Sequence, residues 1–274
     1  MTDFKVRLNW YQSPIDRKVL SALTTKNNWR PLLQNVGMLA FSAGTGAFAF
    51  WAFHNLTWPW VVLAVYVHCS FYGFFGGGAG GHELSHSNMF KTKALNELFI
   101  RINGLLTWFN YIYFRHSHAN HYQYTVHQDL DFEVMLPLNL RWYQWIWGLT
   151  INLPAMRRVF PMFFRQSFGR RRETILKSEK DRQFFPPKES AAVKDMQRWS
   201  RVVLIGHILL AIFFVASGNW ILLFLVTFAP FCTTWFVMLT HIPQHIGMQP
   251  DVADWRLSTR TYLGGTIVRF FTGT

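Results

Sequence analysis

The chain has 274 residues, enough for one sizeable domain; half of it is apolar, 18% is aromatic and only 15% is charged. That is short of the ~25% charged residues of an ordinary soluble domain, yet the formal net charge is +13. Two classes remain, a basic nucleic-acid binder or a membrane protein that keeps its cations on one side, and the placement of the charges decides between them.

The N-terminus, MTDFKVRLNW, has no signal-peptide pattern, so internal spans must do the targeting. Residues 1–32 are basic and read as a cytosolic segment. Four stretches then lack any Asp, Glu, Lys or Arg and are strongly apolar: about 33–53, 58–76, 202–217 and 220–239. Each is near the ~20 residues that a helix needs to cross the hydrocarbon core. The short joins, 54–57 and 218–219, pair them into two helical hairpins. If both joins face outward, Lys and Arg number 6 in residues 1–32, 4 in 82–140, 14 in 141–201 and 3 in 246–274, the whole inventory. All 14 acidic residues lie on the same side. The positive-inside rule predicts this bias, and it excludes the nucleic-acid reading. The two cysteines, Cys69 and Cys232, sit in apolar runs and speak against a disulfide framework.

Between the hairpins, Leu98–Phe114 and Leu138–Phe164 are apolar but carry arginines, and both are rich in Trp, Tyr and Phe. They read as interfacial or re-entrant helices on the cytosolic side. Residues 165–201 hold Arg170-Arg171-Arg172 and a run of lysines; they read as a solvated cytosolic loop, with anionic lipid as a secondary partner. The expected architecture is therefore an all-α integral membrane protein, a membrane domain over 33–245 followed by a cytosolic segment over 246–274.

Eight of the eleven histidines fall in three cytosolic segments: His82 and His86; His116, His118, His121 and His127; His241 and His245. Each segment follows directly from an apolar element, so all three sit at one membrane depth. His82 and His86 are four apart and share a helix face. His241 and His245 repeat the spacing, with Pro243 loosening the turn, and His118 and His121 are three apart. Histidine is the commonest metal ligand. The candidate ligands are His82, His86, His118, His121, His241 and His245; for His116 and His127 a supporting or surface role fits equally well. His54, His68 and His207 read as ordinary interfacial or core residues. His82-Glu83-Leu84-Ser85-His86 also matches the H-E-x-x-H zinc protease signature, with Glu83 as general base. A zinc hydrolase needs only one more ligand, whereas this face offers at least four, which suits two metals and oxygen chemistry better.

Gly81-His82-Glu83-Leu84-Ser85-His86, Arg115-His116-Ser117-His118-Ala119-Asn120-His121-Tyr122 with Asp129-Leu130-Asp131, and His241-Ile242-Pro243-Gln244-His245 together resemble the histidine boxes of the membrane fatty acid desaturase and hydroxylase superfamily. The resemblance covers about residues 35–270. It implies a di-iron centre and O2-dependent attack on a C–H bond of an acyl or lipid substrate drawn from the bilayer. It also implies an external electron donor of cytochrome b5 or ferredoxin type, since no G-x-G-x-x-G motif is present, and a location in the endoplasmic reticulum or a bacterial inner membrane. The sequence departs from the pattern at Tyr122, where the second box usually has a histidine, and it reaches Thr274 without an H-x-x-H-H third box. On that reading the chain is a truncated and catalytically impaired member; an inactive member and a membrane zinc protease stand as the alternatives.

Overall fold

The computed structural model describes residues 8–76, 80–133, 141–261 and 264–272. Among them the fold is helical, and the only β-pairing is an isolated bridge between Ile151 and Cys232.

A short helix α1 (Arg17–Leu23) leads into α2 (Trp29–Asn55). At 1.5 Å per residue α2 is about 40 Å long, more than the ~30 Å hydrocarbon core. Leu56 and Thr57 turn the chain into α3 (Trp58–Tyr72), which starts with proline in its first turn, where the missing N–H costs nothing. Among the described residues, three helical runs are long and apolar enough to cross a membrane: Trp29–Asn55, Trp58–Ser85 and Pro187–Ala216. Their outward faces carry exposed Leu33, Phe48, Val62, Ile208, Leu209 and Phe213, as lipid contact requires.

A 3-10 turn, Gly73–Phe75, passes into α4 (Gly80–Ser85). The Gly81 amide donates to the Gly76 carbonyl at 2.9 Å. A Cβ on Gly81 would lie 2.6 Å from that oxygen, so only glycine permits the turn that aims His82. Helices α5 (Lys93–Leu106) and α6 (Tyr111–Tyr124) then cradle α4. Buried Asn96 donates to the Leu84 carbonyl at 2.7 Å, and Arg115 donates to the Ser85 carbonyl at 3.1 Å while pairing with Glu97. These bonds satisfy the orphan carbonyls at the end of α4. Asn96→Ala should therefore lower stability by ~1–3 kcal/mol, the cost of a buried unpaired carbonyl. Thermal unfolding in detergent checks this, and an unchanged midpoint would show that water replaces Asn96.

Helices α7 (Trp142–Leu149) and α8 (Leu153–Phe168) come next, with α9 (Arg172–Ile175) and α10 (Glu179–Phe184) after them. The basic stretch over 165–201 is not a solvated loop. Ile175, Leu176, Phe184 and Phe185 pack with Val193 and Met196 into a buried cluster against Ile112 and Tyr113 of α6. The cations between them keep their heads out while the apolar residues turn in, and α11 (Ser190–Ala216) already begins inside this stretch. At its end Gly218 adopts φ +73° and donates to Val215, while Asn219 donates to Phe214; this left-handed cap suits glycine.

Residues 220–239 do not form one helix, contrary to the expected fourth span. A π-helical turn (Leu223–Thr227) gives way to a 3-10 turn (Ala229–Phe231), and only then does α12 (Trp235–His241) start. Pro230 cannot donate an N–H and crowds the preceding turn. The freed carbonyls find partners elsewhere: His68 Nε2 donates to Leu225 at 2.8 Å and Trp108 Nε1 donates to Thr227 at 2.9 Å. Irregular backbone at membrane depth is tolerated when it is buried in protein, and Leu225, Thr227, Ala229 and Phe231 are all buried. His68 and His207 are thus core residues with both ring nitrogens engaged, His68 also by Thr45 and His207 by Leu105 and Thr227. Cys69 and Cys232 are buried and free.

The chain closes with α13 (Trp255–Ser258) and α14 (Thr266–Thr272). The N-terminal segment joins this end: Trp10 stacks on Trp255 at 4.5 Å and the Tyr11 amide donates to the Ala253 carbonyl.

Candidate metal centre

Helix α6 organises the site. Three residues separate His118 from His121, which puts both on one face, whereas His116 is two residues from His118 and points elsewhere. Its ring lies on Phe185 at 4.4 Å. Across from α6, His82 in the last turn of α4 and His86 just beyond it present their rings to His118. Ring centroids are 4.5 Å apart for His82–His118, 5.0 Å for His86–His118 and 5.1 Å for His82–His86. On the other side His121 meets His245 at 5.4 Å. The five rings of His86, His82, His118, His121 and His245 form one contiguous group. His241 ends α12, but its side chain lies outside the described residues. His127 is buried and bonds to the Thr125 carbonyl, with its ring edge on Trp10.

Two sets of donor atoms lie within 4.8 Å of one another: His82, His86 and His118, and His118, His121 and Glu133. His118 belongs to both. Glu133 is absent from the sequence-based candidates. Its only prior signal is the alternation Asp129, Asp131, Glu133 after the second box.

The hydrogen bonds fix the tautomers. His118 Nδ1 donates to Glu133 at 3.1 Å and His121 Nδ1 donates to Asp131 at 2.9 Å. His245 Nδ1 donates to the Ser258 carbonyl at 3.2 Å, and His82 Nδ1 lies 3.2 Å from Glu83. A neutral imidazole whose Nδ1–H is so engaged carries its lone pair on Nε2. Yet His82 Nε2 and His118 Nε2 face each other at 2.8 Å. The contact requires either a His82 tautomer with its proton on Nε2 or a cation between the two nitrogens. Burial pushes the His118 pKa below the ordinary histidine value despite Glu133, and burial with neighbouring His82 and His118 pushes His86 down to about 4. A charged imidazolium at His118 or His86 is therefore disfavoured; a neutral His82 donating from Nε2, or a cation, satisfies the contact.

The carboxylates behind the rings complete the arrangement. Burial works against charge on His121, but Asp131 outweighs it and raises the pKa. Burial pushes Asp131 and Glu133 up, and their histidine partners carry both below the usual carboxylate range. Asp131 also accepts from the Val126 and Glu133 amides. This carboxylate–histidine pairing is what orients ligating imidazoles and raises their basicity. Asp129 is exposed at φ +61° and enters neither donor set. Glu83 lies against the ring of its own neighbour, which is not the placement of a base poised over a single zinc-bound water. Tyr122, where a further histidine was expected, sets its ring 4.7 Å from His118 and 5.2 Å from His86.

Comparison with known protein families matches residues 58–274 to the fatty acid desaturase family. No curated protein and no solved structure matches the chain.

Proposed function

The chain belongs to the fatty acid desaturase family, and from that premise we propose that it is a membrane oxidoreductase that uses two iron ions to attack a C–H bond of an acyl or lipid substrate with O2. The observation that carries the reading is the pair of donor sets that share His118, with the Nε2 atoms of His82 and His118 turned toward each other. Histidine-rich sites of this kind suit iron better than magnesium or calcium. When bound, iron supplies O2 activation and removal of hydrogen from an unactivated carbon.

The chain's own residues prepare the site. Glu133 and Asp131 hold protons on the Nδ1 atoms of His118 and His121, which keeps each Nε2 available. Ser258 does the same for His245. Gly81, Asn96 and Arg115 fix α4 so that His82 and His86 face α6. The acyl chain enters from the bilayer, the histidine cluster faces the cytosol, and an external carrier of cytochrome b5 or ferredoxin type supplies the electrons. The zinc protease reading is disfavoured by Glu83 lying on His82 and by donors in excess of one zinc.

Metal analysis of the purified chain, with O2-dependent conversion of an acyl lipid, tests the proposal. Iron near two per chain with turnover is expected. Zinc near one per chain would replace it with the hydrolase reading, and a chain without bound metal would make it a non-catalytic family member.

A further inference from the structure

Behind His118, on the side away from its Nε2, lies a cleft of about 580 Å3 between α6, α8 and α10. That is within the ~300–1,000 Å3 range of small-ligand sites. Arg158 and Arg165 of α8, Lys177 just before α10 and Lys180 within it line it, with Asp181 and Glu133 as the only acidic residues among the described lining. Both acids are already committed. Asp181 accepts from the Tyr113 hydroxyl and the Ser178 amide, and Glu133 accepts from His118. Arg165 is held by Asp181 and the Ile175 carbonyl. Arg158, Lys177 and Lys180 have no ion-pair partner among the described residues. Three unmatched cations converge on one concave space whose floor is apolar, made by Phe114, Phe132 and Phe184.

The cleft opens beside a membrane-facing surface. Leu153, Phe164 and Phe168 of α8 are exposed; they share a helix face with the exposed Arg157, next to the face that carries Arg158 and Arg165. An amphipathic helix of this kind lies in the headgroup region with its apolar face down, which places the cations at phosphate depth. We propose that this cleft binds the phosphate-bearing headgroup of an anionic bilayer lipid, with Arg158, Lys177 and Lys180 on the phosphate and the aromatic floor against the glycerol end. Basic pockets at the cytosolic ends of spans suit such headgroups. Glu133 borders both this cleft and the metal centre, but the three cations that hold the phosphate belong to neither donor set, and the proposal does not depend on the oxidoreductase reading.

The test uses the full chain in nanodiscs. Native mass spectrometry would compare retention of phosphatidic acid with phosphatidylcholine, and inorganic phosphate would be added as a competitor. Phosphatidic acid should be retained preferentially. The triple variant Arg158→Gln/Lys177→Gln/Lys180→Gln should lose that preference by on the order of a hundredfold, at roughly fivefold per cation. Arg198→Gln, which removes an exposed arginine paired with Asp195 elsewhere, should retain it. The thermal unfolding midpoint in detergent serves as the folding control and should be equal in all three proteins. Displacement of the lipid by millimolar inorganic phosphate would show a soluble anion to be the occupant and overturn the lipid assignment. Equal retention of both lipids, or equal loss in Arg198→Gln, would mean diffuse attraction and overturn the site.

Discussion

His118→Ala is expected to empty the metal position that His118 shares with His82 and His86 and to weaken the neighbouring one. His118 is the one residue common to the two donor sets, and its ring adjoins those of His82, His86 and His121. Loss of a residue that only supports a ligand costs about 10–100-fold in metal affinity; removal of the His118 Nε2 ligand should exceed ~100-fold for the ion it holds with His82 and His86. The variant also leaves Glu133 beside a cavity without its hydrogen-bond donor. Metal content after purification and titration with ferrous iron would measure the loss, with O2-dependent turnover falling in step. His116→Ala is the control on the same helix. Its ring rests on Phe185, so metal content should stay at the parent value even if stability drops. Parent-like metal binding by His118→Ala would place the metal elsewhere.

The second large effect is expected at Asp131. Its carboxylate side chain is fully buried and holds three groups: His121 Nδ1 and the amides of Val126 and Glu133. Asp131→Ala frees the His121 ring and strands these donors, so metal affinity should fall about 10–100-fold and stability by ~1–3 kcal/mol for each donor left without water. Asp129→Asn, two residues away and exposed, should change neither, since asparagine accepts the positive φ found there. Calorimetric metal titration and thermal unfolding would separate the two losses. If Asp131→Ala lowered the melting temperature but left metal affinity intact, Asp131 would serve only the loop, and orientation of His121 would have to come from elsewhere.

The acidic partners show where sequence reading stopped. The chain over 126–133 folds back along α6 because Val126 and Asp129 adopt positive φ, a conformation that β-branched valine rarely takes. That reversal brings Asp131 under His121 and Glu133 under His118. Spacing along a helix locates histidines on a shared face, but it carries no information about a loop that returns to them. The same limit applies to residues 165–201, whose basic composition hid the buried Ile175, Leu176, Phe184 and Phe185.

By itself the sequence determined the features set by composition and helical period. Uncharged apolar length located the long helices α2, α3 and α11, because a bilayer admits only a self-satisfied backbone of that length. Intervals of three and four put His82 with His86 and His118 with His121, because a helix brings such residues to one side. Tertiary structure alone decided the rest. It broke 220–239 at Pro230, and distant donors, His68 and Trp108, made the break tolerable by taking up its carbonyls. It joined the three histidine segments through His118 and His121 and set Glu133 and Asp131 behind them. Each of these depends on groups far apart in the chain, whose contact is fixed by packing rather than by any local preference.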